Sequence, residues 1–121
     1  MRVVALLAIV CGLLFVLGGS RGDRMSVRTI SEPTLLTVVI TLNDISEKYR
    51  WLSVYGCSAD VYEHGTFCTG DFERESSQEV SGRKQYLFAW RNLPKGTMLI
   101  RAMAFDANSK ALATGQTVVF R

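Results

Sequence analysis

The side chains able to do chemistry are few and crowd one stretch of the chain. Three cysteines occur, Cys11, Cys57 and Cys68, with a single histidine, His64, between the last two. Cys11 falls inside an apolar N-terminal run whose removal leaves Cys57 and Cys68 as an even pair around a ten-residue segment. In an oxidising compartment such a pair is expected to close a disulfide worth about 2–4 kcal/mol to a small domain. Two reduced, half-buried thiols are the alternative. Two Cys and one His do not complete a structural zinc site without a carboxylate. Asp60, Glu63, Asp71, Glu73 and Glu75 supply oxygen atoms for a Ca²⁺ site in principle, yet their spacing fits no known calcium loop. No metal and no cofactor are therefore expected. For nucleophilic catalysis His64 would have to be the base, but the cysteines are expected to be oxidised and no Ser stands in a strained-elbow pattern. The protein is read as not an enzyme. The enzymatic alternative is a small secreted hydrolase or metal-dependent enzyme in which His64 meets two or more of Asp60, Glu63, Asp71 and Glu73 in a cleft.

Binding chemistry centres on aromatic side chains. In Tyr49-Arg-Trp-Leu-Ser-Val-Tyr-Gly-Cys57 a period of two puts Leu52 and Val54 on one face and Trp51, Ser53, Tyr55 and Cys57 on the other. With Leu52 and Val54 inward, Trp51 and Tyr55 face outward, where rigid aromatics supply contact area to a protein or glycan at small entropic cost. Alternatively, the segment pinned by Cys57 and Cys68 folds over them as a second small core, since a lone domain seldom leaves a large apolar patch bare. Arg21-Gly22-Asp23 spells an adhesion tripeptide, a three-residue match that chance supplies often. No Asn-x-Ser/Thr acceptor is present.

The N-terminus sets the compartment in which this chemistry would operate. Met1-Arg2 is basic, residues 3–17 are an apolar run, and Gly18-Gly19-Ser20 are small. That layout is a signal peptide over residues 1–20, cut near Gly18 to Ser20, which implies export to the periplasm, cell surface or medium. An uncleaved signal anchor over residues 3–19 is the alternative, making the protein a membrane-tethered accessory subunit. Lipidation at Cys11 is disfavoured because Val10 precedes it. Loss of Arg2 leaves 13 basic against 11 acidic side chains, which gives no electrostatic footprint for nucleic acid.

The elements that must position these residues read as strands. Residues 21–33 are polar and turn-prone, a flexible leader. Residues 35–42 place Leu36, Val38, Ile40 and Leu42 on one side of a pleat. Strands follow over 49–57, 84–90, where Tyr86, Phe88 and Trp90 share a face, 97–106 and 111–120. Polar, acidic residues 66–77 read as an edge strand or an extended loop. Only residues 45–50 hint at a helix, and they are too few to matter. Six or seven short strands at regular spacing argue for an all-β sandwich or barrel.

The segment Trp90-Arg-Asn-Leu-Pro-Lys-Gly-Thr-Met-Leu-Ile-Arg-Ala-Met-Ala-Phe-Asp106 resembles the closing half of bacterial immunoglobulin-like domains: an aromatic ending one strand, a Leu-Pro-x-Gly turn, then a strand alternating into Ala-x-Ala-x-Asp. Pro94 and Gly96 suit the turn, and small Ala102 and Ala104 let a facing sheet approach. Met98 stands where that family often has an aromatic, Ser109 where it often has Gly, and residues 57–80 match no part of it. The resemblance implies an immunoglobulin-like β-sandwich of about seven antiparallel strands over residues 34–121, preceded by the signal helix. It also implies a non-catalytic module, a spacer, adhesion unit or glycan partner. The reading from sequence is thus an exported binding or structural module that contacts another envelope protein or a glycan, with no nucleic-acid partner and no membrane contact beyond an uncleaved N-terminus.

Overall fold

The computed structural model describes residues 24–43 and 48–121. The signal segment, Arg21-Gly22-Asp23 and the first half of the weak helix at 45–50 lie outside them. Lys48–Arg50, within them, are not helical.

Among the described residues the chain is all-β, with seven strands in chain order: β1 (Met25–Ser31), β2 (Leu35–Leu42), β3 (Trp51–Tyr62), β4 (Gly65–Glu79), β5 (Gln85–Arg91), β6 (Thr97–Phe105) and β7 (Ala111–Phe120). They form a three-stranded sheet ordered β1-β2-β5 and a four-stranded sheet ordered β4-β3-β6-β7, every pairing antiparallel. Two such sheets fit a β-sandwich.

Period-two alternation builds the interior as the sequence implies. Leu36, Val38, Ile40 and Leu42 are buried, and so are Leu52 and Val54, the aromatics Tyr86, Phe88 and Trp90, and Met98, Ile100, Ala102 and Ala104. Gly56 leaves room for the Trp90 indole, which approaches β3 there and donates from Nε1 to Ser76 Oγ at 2.9 Å. A Cβ on Gly56 would come within 2.5 Å of Trp90 Cζ3. Space, rather than backbone freedom, requires glycine there.

Three boundaries differ from the sequence reading. The supposed leader over 21–33 contains β1, whose Met25 and Val27 are buried and whose register on β2 runs from Met25↔Leu42 to Ser31↔Leu36. Its alternation is hidden because Thr29 and Ser31, of the inward parity, are polar while outward Ile30 is apolar. A turn at Pro33-Thr34, closed by Glu32 N–H to Leu35 O at 2.8 Å, joins it to β2. β3 runs past Cys57 to Tyr62, and residues 65–79 form one long edge strand rather than a loop.

Long polar side chains stitch the open flanks of the two sheets. On the β4/β5 side, Arg74 Nη1 donates to Arg91 O at 2.9 Å and Gln78 Nε2 to Leu87 O at 2.6 Å. On the β1/β7 side, Arg24 Nη1 donates to Leu112 O at 3.0 Å, while Arg121 reaches Ser31 Oγ, Glu32 O and Pro33 O at 3.1–3.3 Å. Arg74 and Arg24 reach carbonyls of the edge strands β5 and β7, and Arg121 those of the β1–β2 turn.

Candidate functional site

The outer face of the four-stranded sheet carries the residues singled out from sequence. Register sets Trp51 between Glu79 of β4 and Phe105 of β6, Ser53 between Ser77 and Met103, and Tyr55 between Glu75 and Arg101. Trp51 is 48% exposed. Beside it opens a groove of about 560 Å³, lined by Trp51, Ser53, Glu75, Ser77, Phe105 and Ser109. Ser53 Oγ donates to Glu75 Oε2 at 3.1 Å, so the carboxylate is held against the groove wall with one oxygen occupied. Indole and phenyl faces, a fixed carboxylate and several hydroxyls can grip a ligand that has flat apolar faces and a polar rim.

Ser109 enters the groove from the β6–β7 turn. Asp106 builds that turn: Oδ1 accepts from Asn108 N–H at 2.8 Å and Lys110 N–H at 2.9 Å, and Ser109 N–H donates to Asp106 O at 3.1 Å. Ser109 takes φ +63°, the left-handed conformation that glycine adopts most easily.

Tyr55 has a different environment from Trp51. Cys57 and Cys68 are joined in a disulfide with their Cα atoms 5.7 Å apart. Cys57 and Ala59 are buried with Leu99, and Tyr55 and Val118 pack against that small cluster. The Tyr55 hydroxyl lies 3.8 Å from Cys68 Sγ. Desolvation, with the negative charge of Glu73 and a hydrogen bond to it, raises the Tyr55 pKa above the ordinary phenol value. The second small core therefore exists, but it covers Tyr55 and leaves Trp51 open. The two aromatics are unequally exposed, Tyr55 partly buried and Trp51 open. Phe105, which alternation also turns outward, is the true neighbour of Trp51, a relation that only strand register reveals.

His64 sits with Glu63 in the two-residue turn of the β3–β4 hairpin and is exposed. Nearby Asp60 accepts a hydrogen bond from the Tyr62 hydroxyl at 3.2 Å, and this contact raises the Tyr62 pKa. Among the described residues no three His, Cys, Asp or Glu side chains converge as a metal-holding group. The disulfide is compatible with an oxidising, exported location. Comparison of the chain with models of known families, with curated proteins and with solved structures finds no match.

Proposed function

We propose that this protein is an exported, non-enzymatic binding module of the immunoglobulin-like kind, which contacts a protein or glycan of the cell envelope through the Trp51 groove. The strand order supports the fold reading. In a constant-type immunoglobulin domain the fourth strand lies beside the fifth, whereas here β4 crosses to pair with β3; the remaining order, β1-β2-β5 against β3-β6-β7, is the same. The observation that carries the functional reading is the half-exposed Trp51 beside Phe105, on a rigid sheet, with Glu75 fixed by Ser53 at the groove wall. A preformed aromatic site of this kind binds with little ordering cost.

Tryptophan emission tests it, because Trp90 is buried and Trp51 carries the exposed signal. Soluble envelope polysaccharide fragments and purified envelope proteins, titrated separately, are expected to shield Trp51 from iodide quenching in at least one case, and Trp51→Ala to abolish that binding while thermal unfolding stays unchanged. Binding that survives Trp51→Ala and Phe105→Ala at full strength removes this face from the account.

A further inference from the structure

We propose that copies of this chain associate head to tail, the tip of the β3–β4 hairpin of one copy docking on the outer face of the β1-β2-β5 sheet of the next. Both surfaces are distinct from the Trp51 groove, and the proposal does not rest on the function assigned to it.

The first surface is an arm. Pairing of β3 with β6 stops at Ser58↔Met98, so from Ala59↔Cys68 to Tyr62↔Gly65 the hairpin pairs only with itself and extends beyond its sheet. It nevertheless carries Val61, Tyr62 and Phe67 at 55%, 58% and 55% exposure. A free hairpin this short is marginal in water. Here the Cys57–Cys68 disulfide closes its base, the Tyr62 and Phe67 rings pack at a centroid distance of 5.9 Å, and the Tyr62 hydroxyl is tied to Asp60. The arm is thus built to hold apolar side chains in water. Its charge is negative: Asp60 and Glu63 belong to it, Asp71 follows its base, and the nearest Lys or Arg in sequence is Arg74, which is engaged with Arg91 O.

The second surface is the complement of the first. Register aligns Arg28, Val39 and Leu87 in one row across the three-stranded sheet and Ile30, Thr37 and Ala89 in the next, with Arg91 opposite Leu35. Leu87 is 58% exposed and Ile30 46%. None of the outward positions of these three strands is a carboxylate, and among the described residues the Arg28 and Arg91 guanidinium groups have no hydrogen-bond or ion-pair partner. Among the described residues the chain therefore presents an apolar, anionic tip and a cationic face on which Leu87 and Ile30 are exposed around a buried Val39. Opposite charge around matching apolar patches favours the unlike pairing over tip-to-tip or face-to-face contact, where like charges meet. Such a contact is heterologous: each copy that docks its arm still offers a face, so assembly proceeds into chains or closed rings rather than stopping at a twofold dimer. A hairpin tip is small, which puts the contact in the weak, concentration-dependent class.

Sedimentation equilibrium of the protein purified from an exporting host tests this. The weight-average mass is expected to rise from that of a monomer at micromolar concentration to several copies at millimolar, and molar salt to reduce the rise. Two variants then separate the surfaces, Tyr62→Ser with Phe67→Ser on the arm and Ile30→Glu with Leu87→Glu on the face. Each is expected to stay monomeric alone, and an equimolar mixture to form one-to-one dimers that grow no further. Arg91→Glu, a single charge reversal at an exposed site, is expected to weaken self-association at low salt even if a double variant folds poorly. A wild-type protein monomeric at millimolar concentration overturns the proposal, as does self-association of either double variant alone or an unchanged mass for Arg91→Glu.

Discussion

Replacing Gly56 by alanine tests how tightly the two sheets are fitted. The new methyl would lie 2.5 Å from Trp90 Cζ3, 3.1 Å from Trp90 Cη2 and 3.1 Å from Ile100 Cδ1. Ordinary van der Waals contact is about 3.5–4.0 Å, so the indole has to move by roughly 1 Å. It has little freedom to do so, being 3% exposed and tied by Nε1 to Ser76 Oγ at 2.9 Å. Overpacking of this kind costs about 1–3 kcal/mol, and a lost hydrogen bond adds about 0.5–1.5 kcal/mol. Alanine's advantage over glycine in a strand interior offsets about 0.5–1 kcal/mol. The expected result is a loss of about 2–3 kcal/mol, a fall in Tm of roughly 8–24 °C for a domain of this size. Urea denaturation followed by tryptophan fluorescence reads it. Trp90→Leu removes the six-membered ring that the methyl meets, so Gly56→Ala should cost little on that background, giving a coupling energy of the sign expected for a relieved clash. Loss of less than about 0.5 kcal/mol by Gly56→Ala in the wild-type protein, within the range of neutral substitutions, would refute the close-approach argument.

Ser109→Gly should raise stability by up to about 1 kcal/mol, because φ +63° costs an L residue about 1–2 kcal/mol and glycine's extra unfolded-state entropy returns only part of it; an unchanged or lower denaturation midpoint would count against a strained turn. Replacing Cys57 and Cys68 together by alanine should lower the unfolding free energy by about 2–3 kcal/mol on the chain-entropy account of a loop this short, and should speed proteolysis near the Glu63-His64 tip; urea midpoints and limited digestion measure the two effects. Asp60 holds the Tyr62 pKa above its ordinary 10.0, so the stabilisation from that contact is present below pH 10 and is lost as pH rises through the raised value. Asp60→Asn should therefore shift the alkaline ultraviolet titration of Tyr62 downward, and an identical titration curve would remove Asp60 as the cause.

Legibility in the sequence followed the division of the chain between apolar and polar packing. β2, β5 and β6 were visible because their inward positions are apolar without a break, from Leu36 to Leu42, Tyr86 to Trp90 and Met98 to Ala104. β4 gave a weak signal for a physical reason: after Phe72 its inward positions Arg74, Ser76 and Gln78 work by hydrogen bonding to Arg91 O, to Trp90 Nε1 and to Leu87 O, so its apolar period breaks off. The outward parity of Trp51 could be read from its own strand. Its pairing with Phe105, and the withdrawal of Tyr55 into the cluster around Leu99, depend on register and on the disulfide, which join residues far apart in the chain.

The same strand shows why any binding by this domain belongs on its outside. Toward the interior, β3 presents Leu52, Val54 and Gly56 to a space already filled by the aromatics of β5, so closely that one methyl group at Gly56 does not fit. At Gly56 the two sheets leave no room for a ligand, and stability depends on keeping that approach close. Toward solvent, Trp51 and Ser53 contribute little to that packing and are free to vary with a ligand. Cys57 breaks this division: it points outward yet is fully buried, because the disulfide and Leu99 close over it where the sheet gives way to the hairpin arm. That one buried outward position makes the arm a continuation of the fold rather than a loose loop, and it lets side chains as apolar as Val61, Tyr62 and Phe67 be held in water without collapsing back onto the sheet.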